Sequence, residues 1–501
     1  MALVNPAHTQ SSVSYRRHCP EKTLFYKLVQ ENLYTFYAET ERGGEGGLPD
    51  FVKKEFSEYL KCGILAHGFL RVRCESCSHE KLVAFSCKRR GFCPSCGARR
   101  MAESAAHLVD EVFPRKPYRQ WVISFPYQIR FLLAQKPKVM SEVLRIINRV
   151  VETQLIKKAR LTKKSGARSG AVTFVQRFGG SINLNIHFHQ VYLDGVYTFE
   201  EGKARFHTVD PPSHKEMEKL VKQIADRVIK LFLKRGLIEK DDSGASYLPS
   251  PAGVFDQIQG SSITYRLAFG PRKGQKVLSL QTVPATESPQ QDKFLAKYSG
   301  FSLHAGVSAK ADERKKLERI CRYISRPSVS EDRLSLNSKG QVVYKLKRAY
   351  DNGTTHIVMD PVEFIAKLAS LVPRPRVNLT RFSGVFAPHF KHRKLVVPKS
   401  KKTDESKGQK EVSEADKARG MRWAQRLKRV FQIDVEKCPE CGDKVKIIAS
   451  IEDPKVITKI LDHLRLESKP PQPFPPRGPP KLLESSEANE GFMTQSFSEY
   501  D

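Results

Sequence analysis

No run of 18 or more apolar residues occurs in the 501-residue chain, which argues against a membrane-spanning helix. The first residues, MALVNPAHTQSSVSYRRHCP, lack a charged region followed by an apolar one, so no secretory leader is expected. Both absences point to a reducing cytoplasm, where ten cysteines favour metal sites over disulfides. Acidic residues are also scarce: 54 Asp and Glu face 86 Lys and Arg, leaving a formal charge of +32. A surplus of that size attracts polyanions and gains from counterion release on phosphate contact. Basic residues recur in every segment rather than in one tail, so the expected partner is nucleic acid; a merely solubilising surface is the plainer alternative.

The pattern along the chain predicts several regions. Residues 1–55 read as a helical lead-in, broken at Gly43–Gly47, and 56–105 as a cysteine-rich zinc-binding module. Residues 106–399 form the largest domain. There β-like runs (Gln120–Phe125, Ala171–Phe178, Ile182–Leu193, Ser262–Phe269, Val342–Leu346, Thr355–Met359) alternate with helical ones (Lys138–Lys158, Lys215–Leu237, Asp312–Ile324, Pro361–Leu371). Hairpin-like neighbours beside long helices predict an α+β fold with a mainly antiparallel sheet. Residues 400–418 read as a charged linker, 419–467 as a small CxxC module, and 468–501 as a Pro-rich and acidic disordered tail.

Cys74 and Cys77 are two residues apart, as are Cys93 and Cys96, with fifteen residues between the pairs. Two such knuckles can present four thiolates tetrahedrally to one structural Zn²⁺. Cys62 and Cys87 are then left as packed thiols, unless Cys87 displaces one of the four. The basic neighbours Arg89, Arg90, Arg99 and Arg100 suit DNA phosphate, or simply a solvated face. A further pair, Cys438 and Cys441, has knuckle chemistry but no second pair nearby; His463 is the nearest histidine, and a redox dithiol is the alternative.

Asn183 to Leu193 reads NLNIHFHQVYL. On a strand Asn183, Asn185, His187 and His189 share one face, while Leu184, Ile186, Phe188 and Tyr192 make the core face. Two imidazoles about 7 Å apart along a strand can serve one cation. If Gly180-Ser181 forms a two-residue turn, Gln176 lies opposite Asn185 and diagonal to His187, a candidate third ligand. Asp312 to Arg326 (DERKKLERICRYISR) reads as a helix stopped by Pro327, with Leu317, Ile320, Cys321 and Ile324 as its apolar stripe. Lys316, Arg319 and Arg326 fall on the side of Tyr323. A phenol among cations is equipped for attack on a phosphate, although a core-edge tyrosine would look the same.

Taken together, the cysteine-rich start, FVQRFGGSINLNIHFHQVYLDGVY, RYISRP, PRPRVNLTRFSGVFAPHFKHR and CPECGDKVKIIASI resemble HUH-type tyrosine transposases of rolling-circle insertion sequences, from about residue 20 to 466. The resemblance implies a sheet-based HUH nuclease domain related to rolling-circle replication initiators and relaxases. It implies Mg²⁺ or Mn²⁺ at His187 and His189, Tyr323 as nucleophile, and a 5′-phosphotyrosine intermediate. It further implies single-stranded or hairpin DNA at element ends as substrate, with a homo-oligomer and host replication proteins as partners at the bacterial nucleoid. One position departs from the pattern. Many members carry a second tyrosine four residues away; here Arg319 stands in its place, as in the single-tyrosine branch. Strand transfer would then reuse Tyr323 or employ the tyrosine of a second subunit. The rival readings are an initiator or relaxase with the same chemistry, a non-catalytic zinc-ribbon DNA-binding protein, and a zinc hydrolase built on His187 and His189.

Overall fold

The computed structural model describes residues 13–14, 18–42, 47–240, 246–247, 253–285, 292–398, 433–434 and 437–478. The expected charged linker and the acidic end lie outside them, as does most of the Gly43–Gly47 break. The lead-in is two helices, α1 (Leu24–Arg42) and α2 (Asp50–Lys61). Strands β1 (Phe69–Cys74) and β2 (Glu80–Ala84) follow, then α3 (Pro94–His107), which starts at a proline that needs no hydrogen-bond partner there. The large domain runs β3 (Tyr118–Ser124), α4 (Tyr127–Gln135), α5 (Pro137–Lys158), β4 (Gly170–Phe178), β5 (Leu184–Leu193) and α6 (His214–Lys234). It continues through α7 (Val254–Ile263), β6 (Leu278–Gln281), β7 (Leu295–Tyr298), β8 (Phe301–Ala309) and α8 (Arg314–Ile324). The remainder is β9 (Leu334–Leu336), β10 (Val342–Lys345), β11 (Thr354–Met359), α9 (Pro361–Leu371), β12 (Thr380–Gly384), β13 (Val445–Ile451) and α10 (Pro454–His463).

Six strands make the central sheet in the order β7-β8-β3-β5-β4-β12, with antiparallel neighbours throughout. A four-stranded sheet, β6-β11-β10-β9, lies apart from it and is antiparallel as well. The expected mix of helices and antiparallel sheet is therefore present. Every residue of β5 is buried, because strands flank it on both sides and both of its faces are covered. On one face Trp121, Ile123, Val175, Ile186, Phe188 and Tyr192 join the main core, which α4 to α7 complete. On the opposite face Val172, Phe174, Val191 and Leu193 meet Leu317, Ile320, Cys321 and Ile324 of α8. The apolar stripe read from α8 is thus what docks that helix on the sheet.

Three expectations are corrected. Ser262–Phe269 is not a strand; it holds the end of α7 and a turn, since an apolar run of this length serves a buried helix as well as a strand. The C-terminal CxxC segment is not a separate module. Its strand β13 pairs with β1, from Val445 opposite Cys74 to Ile451 opposite Phe69, and so completes a three-stranded sheet with β2. Ile457 and Leu461 of α10 pack with Leu65 and Phe69 beneath it. Finally, the described part of the Pro-rich run lies along α1: Phe474 donates to the Gln30 carbonyl at 3.0 Å, and the Arg477 amide donates to Thr35 Oγ1 at 2.9 Å.

Candidate active site and metal centres

His187 and His189 stand on the face of β5 that carries Val191 and Leu193, the face on which α8 lies. Their Nε2 atoms are 3.1 Å apart, and Gln176 Oε1 is 3.1 Å from His187 Nε2. The turn that brings Gln176 there differs from the expected one. A loop runs from Gly179, whose amide donates to Asn183 O at 3.0 Å, and an irregularity between Gln176 and Phe178 shifts the register. Gln176 consequently pairs directly with His187 rather than with Asn185. Asn183 falls in the loop and is not part of the strand face. A Cβ on Gly179 would sit 2.4 Å from Asn183 Oδ1, so a larger residue there would displace the Asn183 side chain.

The second nitrogen of each imidazole is also held. His187 Nδ1 donates to the Asn185 carbonyl at 2.9 Å, which leaves a lone pair on Nε2. His189 Nδ1 is 2.9 Å from Gln120 Nε2, which donates to it and leaves the ring proton on His189 Nε2; a cation at that nitrogen requires the Gln120 carboxamide to turn over, so that its oxygen takes the proton at Nδ1. Burial, with the Arg130 and Arg326 charges, pushes His187 down to about 4 against the Asn185 bond, which raises it. Burial and then the His187, Arg326 and His304 charges push His189 well below the usual histidine range. Both rings are thus neutral at pH 7. Two imidazole nitrogens and one amide oxygen converge within about a hydrogen-bond length, a donor set that fits a single divalent cation.

Tyr323 is 44 % exposed at the end of α8, while the stripe behind it is buried. The Arg326 guanidinium lies 4.5 Å over its ring and the Lys347 ammonium 4.3 Å over it, so both cations fix the ring's orientation. Arg326 also covers Phe178 at 5.4 Å, beside Gln176, and is near enough to the histidines to oppose their protonation. It therefore links the tyrosine to the histidine pair. The other two cations expected beside Tyr323 do less: Lys316 pairs with Glu313 at 3.2 Å, and Arg319 is exposed.

A cleft of about 120 Å³ opens beside Gln176 and Arg326, with Arg89, Arg90, Arg100 and the buried Arg177 also on its walls. Arg90 donates to the Val377 carbonyl at 2.5 Å, and Arg100 to the Arg89 carbonyl at 3.0 Å, so these guanidiniums are held in place. Arg99 turns away to Ser86 at 3.2 Å. Sequence reading missed Gln120, Arg177 and Lys347. The alternation of Gln120 with Trp121 on β3 could have flagged the first; nothing local marks the other two.

The cysteines do not group as their spacing suggests. Cys74, Cys77, Cys93 and Cys96 do not share one centre. Cys93 and Cys96 join Cys62 and Cys87, while Cys74 and Cys77 join Cys438 and Cys441. In the first group the sulfurs are 3.5 to 3.7 Å apart; in the second, Cys74 to Cys441 is 3.4 Å and Cys77 to Cys438 is 3.5 Å. The edge of a tetrahedron of zinc–sulfur bonds is about 3.8 Å, and a disulfide is far shorter. Thiols this close share protons unevenly. Bonds from Cys62 and Cys87 pull the Cys96 thiol strongly down, while Cys93 is pushed well up. The Cys77 amide, ahead of the neighbouring sulfurs, holds Cys74 down at about 7. Both groups fit structural zinc. The first also abuts the tyrosine helix: Gly97, one residue past Cys96, leaves room for Pro327, whose ring a Cβ would approach to 3.1 Å.

Residues 170–394 match the family model described as "Putative transposase", and residues 30–125 match "Transposase zinc-binding domain", of the IS91 type. The first match covers the histidine strand and Tyr323; the second covers the first cysteine group whole. Together they support a transposase role for a DNA-processing protein. No curated protein and no solved structure matches the chain. Among the described residues, no helix is long and apolar enough to cross a membrane.

Proposed function

We propose that this chain is a rolling-circle transposase of the HUH tyrosine type, which cuts single-stranded DNA with Tyr323 and carries the 5′ end as a phosphotyrosine. The observation that carries the reading is the docking of α8 on the histidine face of the sheet, with Arg326 between Tyr323 and the imidazoles. His187 Nε2, His189 Nε2 and Gln176 Oε1 would hold the cation. Mg²⁺ or Mn²⁺ bound there would polarise the scissile phosphate. Arg326 and the cleft arginines orient the phosphate and offset its charge as it passes through the five-coordinate transition state. The Tyr323 oxygen attacks phosphorus and its proton passes to solvent. The bond from phosphorus to the 3′ oxygen breaks, and that oxygen takes up a proton as a free 3′-OH. Attack by a second 3′-OH reverses these steps and returns the phenol, so joining needs no nucleotide triphosphate.

The family matches favour transposition over the same chemistry in a replication initiator. Purified full-length protein incubated with labelled single-stranded end DNA and Mn²⁺ is expected to give an adduct that survives SDS. Tyr323→Phe is expected to abolish it and to keep the fold, since an exposed ring loses one oxygen. A hydrolytic product with no adduct, or an adduct mapped to Tyr344 or Tyr350, overturns the reading.

A further inference from the structure

A cavity of about 790 Å³ opens on the other side of the histidine pair from the arginine cleft. Ser124, which pairs in register with His187, lines it, as does Asn185, two residues earlier on the same strand face. Arg130, whose charge bears on His187, is a third shared element. The cavity therefore begins where the candidate active site ends.

Its walls combine two chemistries. Four tyrosines reach it from separate places: Tyr127 opens α4, Tyr265 follows α7, Tyr298 ends β7, and Tyr350 lies between β10 and β11. Four cations, Arg130, Arg266, Lys276 and Lys297, stand against one carboxylate, Asp351. Two of the rings are already fixed: Arg130 lies 5.0 Å over Tyr127, and Lys222 lies 4.4 Å over Tyr298 while donating to its hydroxyl at 2.7 Å. Asn185 is 5 % exposed, and its Oδ1 has no hydrogen-bond partner among the described residues. Tyr265 holds φ at 57° as the residue after the α7 cap, and the Arg266 amide donates back to Ser261 O at 2.8 Å. Glycine is the usual residue there, so the chain keeps a tyrosine at a strained position that faces the cavity.

We propose that this cavity receives the unpaired bases of the DNA strand beside the scissile phosphate, stacking them on the tyrosines while the lysines and arginines follow the backbone. The inference rests on the function proposed above and locates its substrate. Aromatic faces accept any base, and cations beside them neutralise phosphate, the combination that grips single strands without reading sequence. A duplex cannot enter, because its bases are stacked on one another. The volume is that of a ligand pocket, about 300–1,000 Å³, and admits a base or two with their sugars.

The test is binding without cleavage. Full-length protein is titrated, without divalent cation, into a short fluorescein-labelled oligodeoxythymidine, and anisotropy is read at several salt concentrations. Tyr265→Gly relieves the backbone while removing the ring, so its fold is expected to be at least as stable as that of the parent. Its affinity is expected to fall roughly 5- to 150-fold, the range of one lost stack. Lys276→Gln is expected to lower the slope of log affinity against log salt by about 0.7, one single-strand phosphate contact. Unchanged affinity for Tyr265→Gly overturns the inference, as does an equal loss with duplex DNA. An adduct that forms while Tyr265→Gly binds normally defeats the cavity alone. A Tyr265→Gly binding loss without any adduct from the parent defeats the cutting mechanism alone.

Discussion

The sharpest prediction concerns which cysteines share a metal. Metal analysis of the full chain should find about two zinc ions, one per group of four thiols. Cys438→Ser should leave about one, and so should Cys93→Ser, because each breaks a different group. The double variants separate the groupings. Cys74→Ser with Cys438→Ser strikes one centre twice and should still hold about one ion, whereas Cys74→Ser with Cys93→Ser should hold about none. The stability effects should differ as well. Cys77 and Cys438 are 361 positions apart, so a link between them restrains the unfolded chain by about 6 kcal/mol, treated as a simple cross-link. Cys62 and Cys96 are 34 apart, which gives about 4 kcal/mol. Loss of the second ion should also free β13 from β1 and make residues 437–466 sensitive to protease, with the Leu65, Phe69, Ile457 and Leu461 contacts left to hold them. If Cys74→Ser with Cys93→Ser loses only one ion, or Cys438→Ser loses none, the grouping is wrong.

Other outcomes follow from single sites. His187→Ala should abolish adduct formation while DNA affinity, carried by many phosphate contacts, changes little in an anisotropy titration; cutting at the parental rate would remove the cation from that position. Phe92→Ala should cost about 3–5 kcal/mol in denaturant unfolding, because this fully buried ring packs against Phe25, Phe56 and Tyr59 beside the first cysteine group. Glu216 closes a capping box with Ser213 and pairs with Lys158 at 2.8 Å; burial raises its pKa, but the Lys158 and Ser213 bonds outweigh that and lower it below 4.5. A lowered carboxyl contributes stability that is complete above its ordinary pKa and lost as pH falls through the folded value. Glu216→Gln keeps a side-chain acceptor for the capping box but loses the Lys158 pair, and should therefore lower stability at pH 7 by about 0.2–1 kcal/mol, with the gap to the parent closing in denaturant melts as pH falls through the carboxyl range.

Local signals marked most of the side chains that the fold gathers into the candidate site. Alternation along NLNIHFHQVYL placed both histidines on one face, and β5 has that alternation from Leu184 onward. The stripe Leu317, Ile320, Cys321 and Ile324 marked the buried side of α8 and hence left Tyr323 outward. Period two and period 3.6 are properties of a few consecutive residues, so they survive whatever the rest of the chain does. The paired knuckles were likewise visible as pairs.

Their partners were not. A C-x2-C spacing states that two thiolates can meet, and nothing in it names the other two, which for Cys74 and Cys77 come from the far end of the chain. The same limit applies to Gln176, whose place beside His187 depends on an irregularity in pairing rather than on a count through the turn. Ser262–Phe269 was misread because an apolar run short enough for a strand also ends a buried helix, and only packing against α9 and β5 decides between them. Residue type and local period determined what each segment could do. Contacts between segments distant in sequence, made when α8 docks on the sheet and β13 on β1, decided which of those capacities meet at one site, because loop closure over hundreds of residues leaves no mark on local spacing.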